Sequence, residues 1–462
     1  MIVKSKNYHI KIFINFGASA IILTTLQNCS QNTSKTGNSH PNVILILADD
    51  MAFGDLAFIN GNINHTPVLD QLAKEGIWFN QAYSASPVSA PARAALLTGK
   101  YPHQTGCVTL NIKRFPELTR MDTSLITLAD AFNNNGYITG LIGKWHCGEG
   151  EGYHPLDRGF EEFEGFIEGN VKSYFTYELE INGAIKKFTN QYLTYELSKR
   201  AIEFVRRHKN DQFFLHIAHY APHRPIEAPV DVIDHYLKMG YKESQSTIYA
   251  MIEIMDQGIG QLIAELDRLG IREKTLIIFT SDNGPDPIPG LRNNQGLRGT
   301  KYMVNEGGIR VPFILNWKNK LESRYISDVI HFTDIFPTLV NLCGLQLSVP
   351  IDFEGSSMAE LFMGKYQNNL PEARYWQWNR GVPIYSQNAA MRRGKWKLVR
   401  PFVTREVSDE EFFNKPVLYD LENDPFEEND VSKQNQQVYE TMNVLLEQWS
   451  REMEFARLQI KN

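Results

Sequence analysis

Two apolar stretches of this sequence run straight into oxygen donors. NVILILA, Asn42 to Ala48, is followed by Asp49 and Asp50, and TLIIFTS is followed by Asp282 and Asn283. Three carboxylates and an amide carbonyl form a hard, all-oxygen set. Calcium accepts such a set loosely, whereas magnesium asks for stricter octahedral geometry and more water. The set holds neither His nor Cys, which argues against zinc. Other apolar runs end in cations. LIGKWHCG places Lys144 and His146 two residues apart, a spacing that in extended chain points both side chains to one face. HYAPHRP supplies His223, and LRGTKYMVNEGGIRVP supplies Lys301 in a glycine-bounded loop. Singly, each is a surface lysine or a satisfied core histidine. Jointly, a cation, two lysines, two histidines and an arginine outline a pocket for a tetrahedral oxyanion. SPVSAPARAALLTGK, Ser86 to Lys100, offers Ser86, Ser89 and Arg93 beside them, and a serine hydroxyl is a weak nucleophile until something activates it.

These residues matter only if the fold collects them. Continuous apolar runs (NVILILA, YITGLIG, FFLHIAHY, TLIIFTS, VPFILNW) alternate with helical patterns, which predicts an α/β chain with a large, mostly parallel sheet covered on both faces. In such sheets ligands sit outside the carboxyl ends of the strands, where the residues above fall. TPVLDQLAKEG predicts a helix capped by Thr66, with Pro67 in its first turn and Gly76 as its stop. SLITLADAFNNNG predicts an amphipathic helix ending at Gly136, and Ser246 to Leu269 another. After about Met363 the pattern becomes turn-rich and alternating, which predicts a small antiparallel sheet closed by a helix near Val438 to Met453. The domains expected are a signal peptide over 1–28, a linker over 29–40, a catalytic domain over 41–363 and a C-terminal subdomain over 364–462.

The chain has 462 residues, 42% hydrophobic and 22% charged, with net charge −6. That composition is ordinary for a globular protein and argues against nucleic acid as a partner. Lys4, Lys6 and Lys11 precede an interrupted apolar run too short to span a bilayer, the pattern of a secretory signal peptide. Cys29 in LQNCS resembles a bacterial lipoprotein cleavage site, although Gln27 and Asn28 stand where small residues are usual. The expectation is an exported, periplasmic protein with Cys29 as a candidate lipid anchor. Cys107, Cys147 and Cys343 make neither a disulfide framework nor a zinc set and read as buried thiols.

Taken in order, PNVILILADDMAFGDL, SAPARAALLTGKYPHQTG, GYITGLIGKWHCG, RGFEEFEGF, FFLHIAHYAPHRP, FTSDNG, LRGTKYMVNEGGIRVPFI, HFTDIFPTL and LYDLENDPFE resemble the type I sulfatases of the alkaline-phosphatase superfamily, from about Pro41 to the last helix. The family signature is Cys or Ser, any residue, Pro, usually Ser, then Arg, before a Leu-Thr-Gly. Counting back from Leu97-Thr98-Gly99 selects Ser89 and Arg93 and leaves Ser86 out of frame. Ala92 stands where the family usually has Ser. The resemblance implies that Ser89 is oxidised to formylglycine by a radical-SAM maturating enzyme of the anaerobic bacterial kind, before export. It implies a cation, Ca2+ or else Mg2+, held by Asp49, Asp50, Asp282, Asn283 and residue 89. It further implies that Lys144 and Lys301 bind the sulfate oxygens, that Arg93 braces the hydrated aldehyde, that His223 is the acid for the leaving alcohol and that His146 is the base that regenerates the aldehyde.

The activity expected from this resemblance is hydrolysis of a sulfate monoester, an O-sulfate on a glycosaminoglycan, mucin or algal glycan. Arg224, Arg380, Trp376 and Trp378 are the candidates for contact with the sugar, the two Trp having packing under the small sheet as an equal reading. The shared superfamily core also admits a phosphatase or phosphonate hydrolase. A chain with Ser89 left unmodified would be a non-catalytic binder of sulfated glycans.

Overall fold

The structure is a computed structural model that describes residues 40–110, 113–287, 292, 294–365, 370–402 and 415–460. The N-terminal apolar run, Cys29 and the linker up to residue 39 lie outside the described residues. In chain order the first strands are β1 (Asn42–Ala48), β2 (Ile77–Phe79), β3 (Ala82–Tyr83), β4 (Ile138–Lys144), β5 (Glu162–Phe166), β6 (Thr176–Ile181), β7 (Ala184–Thr189) and β8 (Phe213–Ala218). Then come β9 (Thr275–Ser281), β10 (Phe313–Asn316), β11 (Arg324–Ile326) and β12 (Ile330–His331), and last β13 (Ala373–Gln377), β14 (Ala389–Arg393), β15 (Trp396–Arg400) and β16 (Val417–Asp420). The main helices are α1 (Pro67–Glu75), α2 (Ser89–Thr98), α3 (Leu128–Asn133), α4 (Leu193–Arg207), α5 (Val230–Lys238), α6 (Glu243–Arg268), α7 (Ile335–Cys343) and α8 (Gln436–Gln459).

Ten strands form one sheet in the order β11-β2-β10-β9-β1-β8-β4-β5-β6-β7. Its centre, β9-β1-β8-β4-β5, is parallel, and antiparallel strands extend it on both sides. β1 is buried along its whole length. Because successive side chains alternate, Val43, Leu45 and Leu47 enter one core with Leu96, Phe132 and Leu339 from α2, α3 and α7. Ile44 and Ile46 enter the other with Leu69, Phe204 and Met251 from α1, α4 and α6. Each such side chain contributes about 1.5–3 kcal/mol on full burial, so truncating Leu45 to Ala would cost about 2–5 kcal/mol. The mostly parallel sheet with helices on both faces, read from the apolar runs, is therefore present.

Three local expectations change. Thr66 stands at the N-cap position of α1, but its hydroxyl donates to Asp70 and accepts from the amide of Ala57 and gives the helix no capping bond. Asp256 on α6 takes that role, its two carboxylate oxygens accepting from the amides of Val68 and Leu69 at 3.0 and 2.8 Å. α3 starts at Leu128, not near Ser124, because Thr127 and Asp130 close a capping box there. The hairpin β6–β7 turns through Asn182 and Gly183, a strong two-residue turn signal inside EINGAI that lengthens the sheet beyond the expected strands.

The C-terminal sheet, β13-β14-β15-β16, is fully antiparallel. One face packs on α8 through Met391, Leu398, Leu446 and Trp449. The other packs on Tyr83, Val304 and Ile309. That second contact sets the sheet against the segment that carries Lys301. Among the described residues no helix is long and apolar enough to cross a membrane.

Candidate active site

Because β1, β9, β4 and β8 run parallel, their carboxyl ends lie together, and the residues that follow them meet. Asp49 and Asp50 follow β1, Asp282 and Asn283 follow β9, Lys144 ends β4, and His223 lies five residues beyond β8. Gly143 makes the last step of β4 possible: its φ is +108°, and a Cβ there would sit 2.0 Å from the oxygen of Ala218 on β8.

Ser89 is the first residue of α2, behind an extended Val88 that offers no capping side chain. All ten residues of α2 are buried. Ser89 Oγ lies 3.1 Å from Asp49 Oδ1 and 3.3 Å from Asn283 Oδ1. The first-turn amides of a helix lack intrahelical acceptors and favour negative charge, so an oxygen at position 89 lies where charge is welcome. Ser86 is buried as well, but its peptide oxygen accepts from Ser84 and the residue does not line the pocket. Of the two serines, Ser89 is the one that lines the pocket.

Three cations face the three carboxylates. Lys144 Nζ donates to Asp49 Oδ2 at 2.6 Å, Lys301 Nζ lies 2.7 Å from Asp50 Oδ1, and Arg93 Nη2 donates to Asp282 Oδ2 at 2.8 Å. All six side chains are essentially excluded from solvent. Burial draws the Lys144 ammonium below the ordinary lysine value in spite of Asp49. Burial acts the same way on Lys301, but Asp50 and Asp49 outweigh it and hold that ammonium above the ordinary value. Asp282 gives its second oxygen to the amide of Asp50 at 3.1 Å, and Asn283 Nδ2 donates to Asp50 Oδ1 at 2.7 Å. A ring nitrogen of His223 comes within 4.8 Å of oxygens of Asp49 and Asp50, closer to that pair than the all-oxygen reading foresaw. Carboxylate and amide oxygens dominate the group, so it fits a hard divalent cation. With three carboxylates balanced by three cations, such an ion would leave the site positive, as an anionic substrate requires.

The two histidines are held in defined tautomers. His146 Nε2 donates to the oxygen of Leu110 at 3.1 Å, which leaves Nδ1 as the lone-pair nitrogen. His223 Nδ1 donates to the oxygen of Arg224 at 2.7 Å, and its Nε2 faces Asp50 Oδ2 at 3.7 Å. Burial, then Lys144, pushes His146 well below the ordinary histidine value. Burial, then Lys301 and Lys144, does the same to His223. Asp50, His146 and Tyr302 adopt positive φ without being glycine. Backbone strain of this kind persists only where the surroundings enforce it, and it concentrates at functional sites.

A cavity of about 440 Å3 opens over these groups. The buried Ser89, His146, His223 and Lys301 line it together with Arg224 and Arg380. Arg224 pairs with Asp286 at 2.9 Å and donates to the hydroxyl of Tyr302 at 3.0 Å. The two tryptophans do not line it. Trp376 is 1% exposed and donates from Nε1 to the oxygen of Ser84, and Trp378 lies buried behind Tyr302, ring centroids 5.5 Å apart. Their packing under the small sheet accounts for both.

Several residues escaped the sequence reading. Tyr302, Lys113, Glu168 and Asn170 line the cavity. Asn388, just before β14, donates from Nδ2 to the oxygens of Tyr302 and Trp378 and accepts from the amide of Val304. Arg292 donates to the oxygen of Asp50 at 2.8 Å and holds that strained residue in place. Tyr302 follows Lys301 in a glycine-bounded loop, a hint the sequence did carry; Asn388 left none.

The chain is similar to known proteins over most of its length. Residues 41–345 match the family model described as Sulfatase, and residues 296–453 match that of the C-terminal region of N-sulphoglucosamine sulphohydrolase. The N-acetylgalactosamine-6-O-sulfatase of Bacteroides thetaiotaomicron is 28% identical over 92% of this chain and 96% of its own length. The N-acetylgalactosamine-6-sulfatase of Rattus norvegicus is 28% identical over 84% and 80%. Among solved structures, Ps i-CgsB in complex with k-i-k-neocarrahexaose matches with a TM-score of 0.78 and 32% identity, over 89% of this chain and 93% of that one.

Proposed function

We propose that this chain, which belongs to the sulfatase family, hydrolyses an O-sulfate ester carried by a carbohydrate. The observation that carries the reading is the buried ring of Arg93, Lys144 and Lys301 around Ser89, which opens into a cavity lined by further cations, Lys113, Arg224 and Arg380. Carbohydrate as the carrier is supported by relatives named for N-acetylgalactosamine 6-sulfate and by a structural neighbour crystallised with neocarrahexaose.

Formylglycine at position 89 would, once hydrated, offer two hydroxyls on one carbon, one as a nucleophile toward sulfur and one able to release a proton. Asp49, Asp50, Asp282 and Asn283 would hold a divalent cation, Ca2+ or Mg2+, whose charge would make a hydroxyl at position 89 more acidic. The remaining work belongs to the side chains. Lys144 and Lys301 hold sulfate oxygens as negative charge shifts onto them. Arg93, one helical turn from residue 89, fixes Asp282 and lies 3.6 Å from Asp49. His223 delivers a proton from Nε2 to the departing sugar oxygen. Burial first, then Lys301 and Lys144, disfavours the protonated ring, and a bound sulfate anion would offset the two ammonium charges. His146 accepts a proton at Nδ1 from the second hydroxyl at position 89. Arg224 and Arg380 line the cavity, where they would meet the sugar.

The same reading takes the N-terminal apolar run as an export signal, Cys29 as a lipid site, the periplasm as the location and a radical-SAM maturase as the partner that converts Ser89. The test is a panel of sulfated sugars that includes N-acetylgalactosamine 6-sulfate, with aryl sulfate and aryl phosphate as references. Release of sulfate from a sugar supports the proposal. Turnover of aryl sulfate with no sugar sulfate released overturns the carbohydrate reading, and faster turnover of aryl phosphate overturns the ester class.

A further inference from the structure

The concave surface around Ser89 continues past the catalytic cavity. A second cavity of about 510 Å3 lies between the end of β5 and the β6–β7 hairpin. Glu168 and Asn170 line both cavities, so one short stretch of chain is the wall between them. That wall is low: Glu168 is half exposed and pairs with the exposed Lys113 at 3.1 Å. The volume is in the range that encloses a ligand of a few rings.

The two cavities differ in chemistry. The catalytic one sets Lys113, Arg224, Lys301 and Arg380 against a single carboxylate, Glu168. The second sets Lys172 and Lys187 against Glu168, Glu178 and Glu180. Glu178 and Lys187 stand directly opposite each other on β6 and β7, which neutralises them locally. Glu180 is engaged by His154 at 3.1 Å. Ile167, Val171 and the exposed Ile185 form the apolar part of the lining, and Thr176 and Asn170 add uncharged hydrogen-bonding groups. An apolar patch bordered by amide, hydroxyl and paired charges fits a ring with one apolar face and a hydroxyl edge. Its acidic balance disfavours a sulfate.

We propose that the second cavity binds uncharged sugar units adjoining the sulfated one, so that the enzyme acts on oligosaccharides in preference to free monosaccharide sulfates. This rests on the carbohydrate reading above. It also makes the β6–β7 hairpin a determinant of sulfation pattern, because a second sulfate on the neighbouring unit would meet a lining whose three carboxylates outnumber its two ammonium groups.

The test compares kcat/KM of matured enzyme on N-acetylgalactosamine 6-sulfate with that on two trisaccharides, in which the same unit carries two unsulfated galactoses on one side or the other. One trisaccharide is expected to exceed the monosaccharide about tenfold, mainly through KM, and to lose that advantage when its neighbouring galactose is sulfated. In Thr176→Trp, which fills the cavity from an exposed strand position, the ratio should fall to about one. Lys187→Ala, also exposed, is the second variant should Thr176→Trp fail to fold as judged by its Tm, and it should lower the ratio in the same direction. Equal kcat/KM for all three sugars, or an advantage unchanged in both variants, overturns this proposal alone. Turnover of aryl sulfate with no sulfate released from these three sugars or from any member of the sugar panel overturns the carbohydrate reading and this proposal with it.

Discussion

Asn388 donates its side-chain amide to the main-chain oxygen of Tyr302 at 2.7 Å, tying the C-terminal sheet to the loop that carries Lys301. Tyr302 has a φ of +80°, a conformation that needs such enforcement. The neighbouring bond from the amide of Val304 to Asn388 Oδ1, 3.1 Å, closes the clamp. Lys301 thereby acts from a fixed place although it sits on a loop.

Asn388→Ala should lower kcat on an aryl sulfate about 10–100-fold through misplacement of Lys301 and Tyr302, with a loss of about 1–3 kcal/mol in stability. Asn388→Asp should not rescue activity, since two carbonyl oxygens face the side-chain donor and a carboxylate has no proton for them. Steady-state kinetics beside a thermal melt checks both; recovery in Asn388→Asp would show that only the acceptor matters.

Ser89→Ala, Asp282→Ala and His223→Ala should each reduce turnover by about 10³-fold or more, because each removes a group with a distinct task. Peptide mass over Ser86–Lys100 reads the state of position 89 in the same samples. Near-normal turnover in any of the three overturns the role given to that residue.

Dialysis against a chelator should abolish activity, with Ca2+ or Mg2+ restoring it. If the ion binds the folded site, saturating it at about a hundred times its Kd adds about 2.7 kcal/mol of stability, visible as a rise in Tm. Asp50→Asn should blunt that rise, and an unchanged Tm in the parent protein would count against an ion among these carboxylates.

Acid should weaken the fold. Burial lowers His103, His216 and His219 to about 4. Between the unfolded value near 6.5 and that folded value, the unfolded chain binds the extra protons, so stability is fully present above about 6.5 and is lost as pH falls toward 4. Each such histidine contributes a slope of up to about 1.4 kcal/mol per pH unit. Denaturant melts between pH 7.5 and 4.5 measure it, and a flat profile would contradict the burial of these rings.

Asp256 acts with the opposite sign. Burial raises its carboxyl to about 7 while it caps α1. The folded state then holds a proton that the unfolded chain has released, so this contribution is present below about 4 and lost as pH rises through 7. Asp256→Asn removes the titration and one of two capping acceptors. Its deficit relative to the parent should therefore be larger at about pH 4.5 than at pH 7.5, by about 1.4 kcal/mol for each unit of separation crossed.

What could be read from sequence followed from local pattern. β1, β4, β8 and β9 are continuous apolar runs with reactive residues just beyond them, and parallel pairing alone brings Asp49, Asp282, Lys144 and His223 together. The misses are contacts between distant parts of the chain. Asp256 reaches back to α1 across 187 residues, and no local rule distinguishes it from Thr66 as the cap. Trp376 and Trp378 carry the composition of a sugar platform; only the packing of the small sheet on Tyr83 and Tyr302 shows that their faces are already covered. The β6–β7 hairpin was not among the expected strands despite its Asn-Gly turn, and its place beside the catalytic cavity depends on the sheet order.

The burial of α2 bears on when Ser89 can be altered. Every residue of that helix is enclosed, and it lies against the central sheet with side chains of α3 and α7 in the same core. A modifying enzyme needs its target segment loose and within its own active site, which this helix offers only before it is packed. Under the formylglycine proposal, conversion would then have to precede packing of this helix. A molecule that folded first would keep its serine for as long as it stayed folded, and the active fraction of a preparation would follow from that order of events.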